Sequence, residues 1–224
     1  MNRECHHSQF GVLKMVQSIN DLPGSINNLS KPTLFADDTN IIFTHPNLLE
    51  FKENSNIVFE KIINWFQINQ LSLNLGKTYY MQFMSKTSHP INININLKTN
   101  RIDNVYCTKF LGLILDSTLS WKPHIDQLIP KLNSACYVIR FLKPIISVGN
   151  LRMVYFSTVH SIISYGIIFW SNSTYSNTIF KIQNSVIRIM MNVKNIESCR
   201  ELFKKIRHSS LTITVHTLLI ALCC

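Results

Sequence analysis

Two aspartates side by side, Asp37 and Asp38, are the residues of this chain best suited to chemistry. They lie in Thr33-Leu34-Phe35-Ala36-Asp37-Asp38-Thr39-Asn40-Ile41-Ile42-Phe43, between two apolar, β-prone runs. The pattern predicts a β-hairpin with paired carboxylates at its tip. Neighbouring carboxylates repel, so the arrangement is kept where a cation or strong donors hold it. Hard divalent cations take oxygen ligands of this kind. A solvated Asp-Asp turn is the other reading of the same residues.

The elements around the pair can be read from spacing. After His45-Pro46, Asn47 is placed as a helix cap, and Leu48, Phe51, Val58, Ile62, Trp65 and Phe66 follow at helical spacing. That helix is expected to pack one face on the sheet that carries the aspartates. Leu71–Leu75 and Tyr79–Met84 read as short strands separated by the Gly76-Lys77 break. Ile91–Leu97 alternates strictly and predicts a strand paired with residues around Ile102–Tyr106. Lys109–Asp116 is an apolar run broken by Gly112, a position where backbone or ligand approaches closely in many strands.

From Trp121 the character becomes helical. Ile125, Leu128, Ile129, Leu132, Ala135, Cys136 and Ile139 form one amphipathic face, with Pro130 expected to kink or delay the helix. Further helices are expected over Asn150–Tyr165 and Asn177–Val193. The reading divides the chain into an irregular segment 1–32, a mixed part 33–118, a helical part 119–208 and an apolar tail 209–224. The fold class is α+β.

Composition adds a partner. The 224 residues are 46% hydrophobic, enough for a packed core, and carry a net charge of +10. That charge is uneven: residues 1–118 hold 10 Lys/Arg and 9 Asp/Glu, whereas residues 119–224 hold 12 and 3. A basic helical part implies an acidic partner, nucleic acid being the commonest. Six cysteines without a CxxC pair encode neither a disulfide framework nor a zinc site, and Cys5-His6-His7 lacks a second ligand pair. No stretch reads as a signal peptide or a membrane span, so an intracellular location, nuclear or cytoplasmic, is expected.

The order of features resembles the reverse transcriptases of non-LTR retrotransposons of the jockey or LINE-like kind. The matching residues are Ile19-Asn20-Asp21-Leu22-Pro23, Phe35-Ala36-Asp37-Asp38, Trp65-Phe66 with Asn69, Leu71, Leu73-Asn74 and Lys77-Thr78, Met81 and Phe83, then Phe110-Leu111-Gly112 with Leu115-Asp116, Trp121 and His124-Ile125. Tyr165-Gly166 with Trp170, Lys181-Ile182-Gln183 with Ile187-Arg188, and Ser198-Cys199-Arg200 with Leu202-Phe203 extend it over roughly residues 19–208. Phe-Ala-Asp-Asp alone is a weak signal; many elements in one order are a specific one.

The resemblance implies a partial polymerase palm followed by a basic, thumb-like helical region. It implies that Asp37 and Asp38 are catalytic and bind Mg2+, for an in-line nucleotidyl transfer in which two metals about 3.5–4 Å apart activate the primer hydroxyl and steady the leaving pyrophosphate. Lys77 falls at the family's palm lysine, which faces the pyrophosphate; a surface lysine is the plainer reading. Phe110-Leu111-Gly112 falls at the primer grip. Lys131, Arg140, Lys143, Arg152, Lys181, Arg188 and Lys194 are implied to hold the RNA template and DNA primer, as an RNA–DNA duplex, through phosphates. Deoxynucleoside triphosphates are the implied substrates of the intact enzyme.

The chain also departs from the family. A third carboxylate belongs on a strand well before the Asp-Asp turn, preceded by fingers, yet only 36 residues precede Asp37, and their acids are Glu4 and Asp21. The isolated chain is therefore expected to lack polymerase activity. A non-catalytic nucleic-acid-binding remnant and an unrelated α+β interaction module are the alternatives.

Overall fold

The structure is a computed structural model, and it describes residues 22–26, 30–35, 38–71, 74–85, 87, 96–97, 100–193 and 199–207. The fold is α+β, and the chain forms two compact units, residues 1–82 with 89–105 and residues 83–88 with 106–224.

The first unit is built on a hairpin and a helix. Helix α1 (Leu22–Ile26) leads into strands β1 (Lys31–Phe35) and β2 (Asp38–Ile42), and α2 (Leu48–Ile68) follows. The strands pair antiparallel as the hairpin predicted from sequence, with Phe35 opposite Asp38, so that Asp38 is the first residue of β2 and not part of the tip. Asn47 caps α2 as expected, its side chain accepting from Leu49 N–H at 2.9 Å. Val58, Ile62 and Trp65 recur at helical spacing and are buried with Leu22 and Ile26 against Leu34, Ile41 and Phe43 of the hairpin. Burial of this stripe, not helix propensity, holds α2 on the hairpin. Four two-residue strands complete the unit: β3 (Tyr79–Tyr80), β4 (Asn96–Leu97), β5 (Asn100–Arg101) and β6 (Asp103–Asn104).

The second unit begins with strands β7 (Cys107–Phe110) and β8 (Leu113–Asp116), paired antiparallel. The helices of its core follow: α3 (Lys122–Leu142), α4 (Val148–Tyr155), α5 (Ser161–Ser164), α6 (Ile167–Trp170) and α7 (Ser176–Met191). Helix α8 (Cys199–Arg207) adds Leu202 and Ile206 to the same core. Between α4 and α5 the chain makes one wide π turn, Phe156–His160. Ile125, Leu128, Leu132 and Ile139 form the buried stripe of α3, and they share one core with Tyr155, Val159, Ile163, Trp170, Val186 and Ile187. Pro130 lies within α3, which continues across it.

Several sequence expectations are corrected. The segment 1–32 is not irregular throughout: Leu22–Ile26 is helical, with Pro23 in the first turn where its missing N–H is no loss, and both Leu22 and Ile26 are buried. Leu71–Leu75 is not a strand at its described residues; Leu71 and Asn74 are irregular and Leu75–Lys77 is a 3₁₀ turn. The strand expected over Tyr79–Met84 is confined to the two residues of β3. Its partner is β6, in parallel, whereas β4 pairs with β5. Residues 102–106 are thus drawn to β3 because Ile102 buries against Phe51, Phe59, Ile63 and Tyr80. The compact units divide after Val105, and the β7–β8 hairpin belongs with the helices because Leu113 joins their core. The tail 209–224 lies outside the described residues.

Candidate catalytic hairpin and nucleic-acid interface

The β1–β2 hairpin carries the Asp-Asp pair where its strands connect. Asp38 opens β2 opposite Phe35; Asp37 and the Asp38 side chain lie outside the described residues. Leu34, Ile41 and Phe43 hold the hairpin on α2. Two adjacent carboxylates are a donor set of hard oxygens, which fits Mg2+ by chemistry. Lys77 closes the 3₁₀ turn of the same unit, with its side chain exposed and its N–H donating to Asn74 O at 3.1 Å.

Phe110-Leu111-Gly112, read from sequence as part of an apolar, strand-like run broken at Gly112, is a hairpin tip. Leu111 and Gly112 form the two-residue connection with φ of 45° and 83°, the positive values that a type I′ turn needs at both centres. What comes close to Gly112 is the side chain of Tyr165, in place of the ligand or backbone anticipated: a Cβ there would stand 3.0 Å from its hydroxyl oxygen and 3.1 Å from Cε1. Tyr165 donates its hydroxyl to Leu111 O. Gly166, with φ 62°, faces Leu113 in turn; a Cβ there would fall 2.6 Å from Leu113 Cδ2.

Beneath this tip Asp116 and His124 lock the hairpin to α3. The Asp116 carboxylate accepts from Thr118 Oγ1 at 2.6 Å, Ser120 N–H at 3.0 Å and Trp121 N–H at 2.9 Å. It thereby fixes the turn that leads into α3, whose entry residue Trp121 takes a left-handed φ of 63°. Burial pushes the Asp116 pKa up, but the hydrogen bonds from Thr118, Ser120 and Trp121 together outweigh it and leave it below the ordinary carboxylate value. His124 is 2% exposed, and its Nδ1 accepts from Ile114 N–H at 3.3 Å. Burial first, and then the Lys131 charge, lowers its pKa. Trp121 stacks on Phe169, and Trp170 Nε1–H donates to Tyr165 O at 3.1 Å. The sequence names Asp116, Trp121, His124, Tyr165, Gly166 and Trp170 only as motif residues; their shared work at one corner was not visible, since Tyr165 lies 49 positions beyond Asp116.

The seven basic candidates divide. Lys131 and Arg140 on α3 and Lys181 on α7 are exposed. Lys143 donates to Asn192 Oδ1 at 2.7 Å, tying the end of α3 to the end of α7. Arg152 lies 5.6 Å over the Phe156 ring, and Arg188 is half-buried. Lys194 lies outside the described residues. No carboxylate side chain occurs between Asp126 and Glu197, a span holding all seven of these cations. The positive field over α3, α4 and α7 is thus unopposed by acids within that span.

Among the described residues no group of three or more His, Cys, Asp or Glu side chains is placed to hold a metal, and no helix is long and apolar enough to cross a membrane. No family model matches the chain, and no solved structure matches it. Among curated proteins, the chain is similar to a probable RNA-directed DNA polymerase from transposon BS of Drosophila melanogaster, 26% identical over 159 residues. The match takes in 69% of this chain and 18% of that protein, so the chain corresponds to less than a fifth of its relative's length. The chain is related, distantly, to a transposon-encoded RNA-directed DNA polymerase.

Proposed function

We propose that this chain is a portion of a non-LTR retrotransposon reverse transcriptase, comprising the Asp-Asp hairpin of the palm and a thumb-like helical unit that grips the template–primer duplex. The observation that carries the reading is the similarity to the transposon polymerase over 69% of the chain. The acid-free run from residue 127 to 196 supports it, because a polyanion is the partner such a surface attracts.

In this reading Asp37 and Asp38 hold Mg2+, which when bound supplies Lewis-acid activation of a primer hydroxyl and charge neutralisation at the leaving phosphates. Lys77 offers a cation to those phosphates. The Phe110-Leu111-Gly112 tip positions the primer strand, its backbone conformation fixed by Tyr165. Exposed Lys131, Arg140 and Lys181 contact the RNA–DNA duplex phosphates, while Lys143 and Arg152 contribute from positions already engaged within the unit. The 224 residues contain two of the three expected carboxylates, so binding without nucleotide incorporation is the activity proposed for them alone. A nuclear or cytoplasmic site of action follows from the substrates.

The test is binding of a labelled RNA–DNA hybrid at increasing salt, beside primer extension on an RNA template with Mg2+ and deoxynucleoside triphosphates. Binding whose log K falls with log salt at a slope of about −3 to −5, for some three to six neutralised phosphates, is expected. A flat salt dependence overturns the duplex-grip reading, and incorporation abolished by Asp37→Ala overturns the inactivity of the chain alone.

A further inference from the structure

The face of α3 turned away from the core is apolar where solvent should favour polar groups. Tyr137 is 69% exposed and Phe141 63%, and Val138 beside them is also exposed. Tyr137 and Phe141 are four residues apart and therefore lie one above the other on one side of the helix. At 3.6 residues per turn they stand half a turn from the buried stripe of Ile125, Leu128, Leu132 and Ile139. Lys131 and Arg140, both exposed, fall about a quarter turn to either side of this ring pair. Two rings between two cations, on a helix with no carboxylate after Asp126, form the pattern that receives unpaired bases: π faces for stacking and charges for the backbone.

We propose that the outer face of α3 is a stacking platform for single-stranded nucleic acid, with Tyr137 and Phe141 as the rings and Arg140 and Lys131 as the phosphate partners. The proposal rests on the nucleic-acid reading above and extends it from the duplex to an unpaired strand beside it. A second copy of this chain suits the face less well, because self-pairing would bring two copies of Arg140 and Lys131 together with only the exposed Asp126 of each α3 to offset them. Stacking accepts any base, so the platform discriminates strandedness and not sequence.

The test measures binding of a fluorescent 12-nucleotide oligodeoxythymidine and of an RNA–DNA hybrid to the full chain and its variants. Tyr137→Ala and Phe141→Ala should each weaken the single strand by about 5- to 100-fold while leaving the hybrid within about 3-fold. Tyr137→Phe, which keeps the ring, should bind like the unaltered chain. Phe141→Trp should show fluorescence quenched by the oligonucleotide, a signature of stacking that a merely structural role would not produce. Exposed positions of this kind are tolerant, so the variants are expected to stay folded. Hybrid binding with single-strand affinity unmoved by either alanine overturns the platform alone. Binding of neither probe overturns the nucleic-acid reading with it. A concentration-dependent dimer dispersed by Phe141→Ala, with single-strand affinity unchanged, would overturn the platform and assign the face to self-association.

Discussion

Tyr165 and Gly112, 53 positions apart, are fitted to each other: the Tyr165 ring occupies the space where any side chain at residue 112 would begin, and its hydroxyl donates to the neighbouring Leu111 carbonyl. Gly112→Ala should therefore destabilise the second unit twice over, by the unfavourable φ of 83° and by a 3.0 Å contact. A loss of about 2–3 kcal/mol in urea unfolding is expected. Adding Tyr165→Ala removes the contact but not the backbone strain, so the two changes should be less than additive.

Asp116→Ala removes three hydrogen bonds to an ionised acceptor in the turn that leads into α3, and about 2–4 kcal/mol of stability should go with them. The folded carboxylate is held below its ordinary value, so this contribution is present above the unfolded-state pKa and is lost as pH falls through the folded one. Acid unfolding of the unaltered chain should show that loss, and Asp116→Asn should flatten it.

His124 acts at higher pH and with the opposite charge logic. Its folded pKa is lowered, so the unfolded chain takes up the proton first, near the ordinary imidazole value of about 6.5, and stability declines as pH drops from there toward the folded pKa. Protonation would also turn Nδ1 from acceptor to donor against Ile114 N–H. Urea midpoints between about pH 7.5 and 5 should fall for the unaltered chain and change less for His124→Phe.

Lys131→Gln, Arg140→Gln and Lys181→Gln should each reduce the salt slope of RNA–DNA hybrid binding by about one, at little effect on folding. Lys143→Gln carries a different expectation. It also breaks the 2.7 Å bond to Asn192, so a change in thermal midpoint should accompany any change in binding.

Local patterns made much of the first unit legible. The β1–β2 hairpin, the Asn47 cap and the stripe of Val58, Ile62 and Trp65 all follow from neighbours in sequence. The long helices α3 and α7 were equally readable from their apolar period. What the pattern missed was set by distant partners. Residues 103–104 joined β3 because Ile102 found a pocket on α2, and Leu111-Gly112 read as mid-strand because the hairpin there alternates little. The roles of Asp116 and His124 needed the fold, since their hydrogen bonds define a corner that no spacing announces. Tyr137 and Phe141 left a fainter mark: rings outside the apolar stripe of a helix whose other face was already accounted for.

The π turn at Phe156–His160 has a consequence for which residues reach the core. Leu151, Tyr155, Val159 and Ile163 all face the core at a constant spacing of four, which an α-helix alone would carry slowly around its axis. Removing one residue between Tyr155 and Val159 would restore the spacing of four, three and four that an α-helical stripe prefers. The wide turn thus has the form of a single extra residue accommodated within the helix, which keeps Tyr155 and Val159 both on the core.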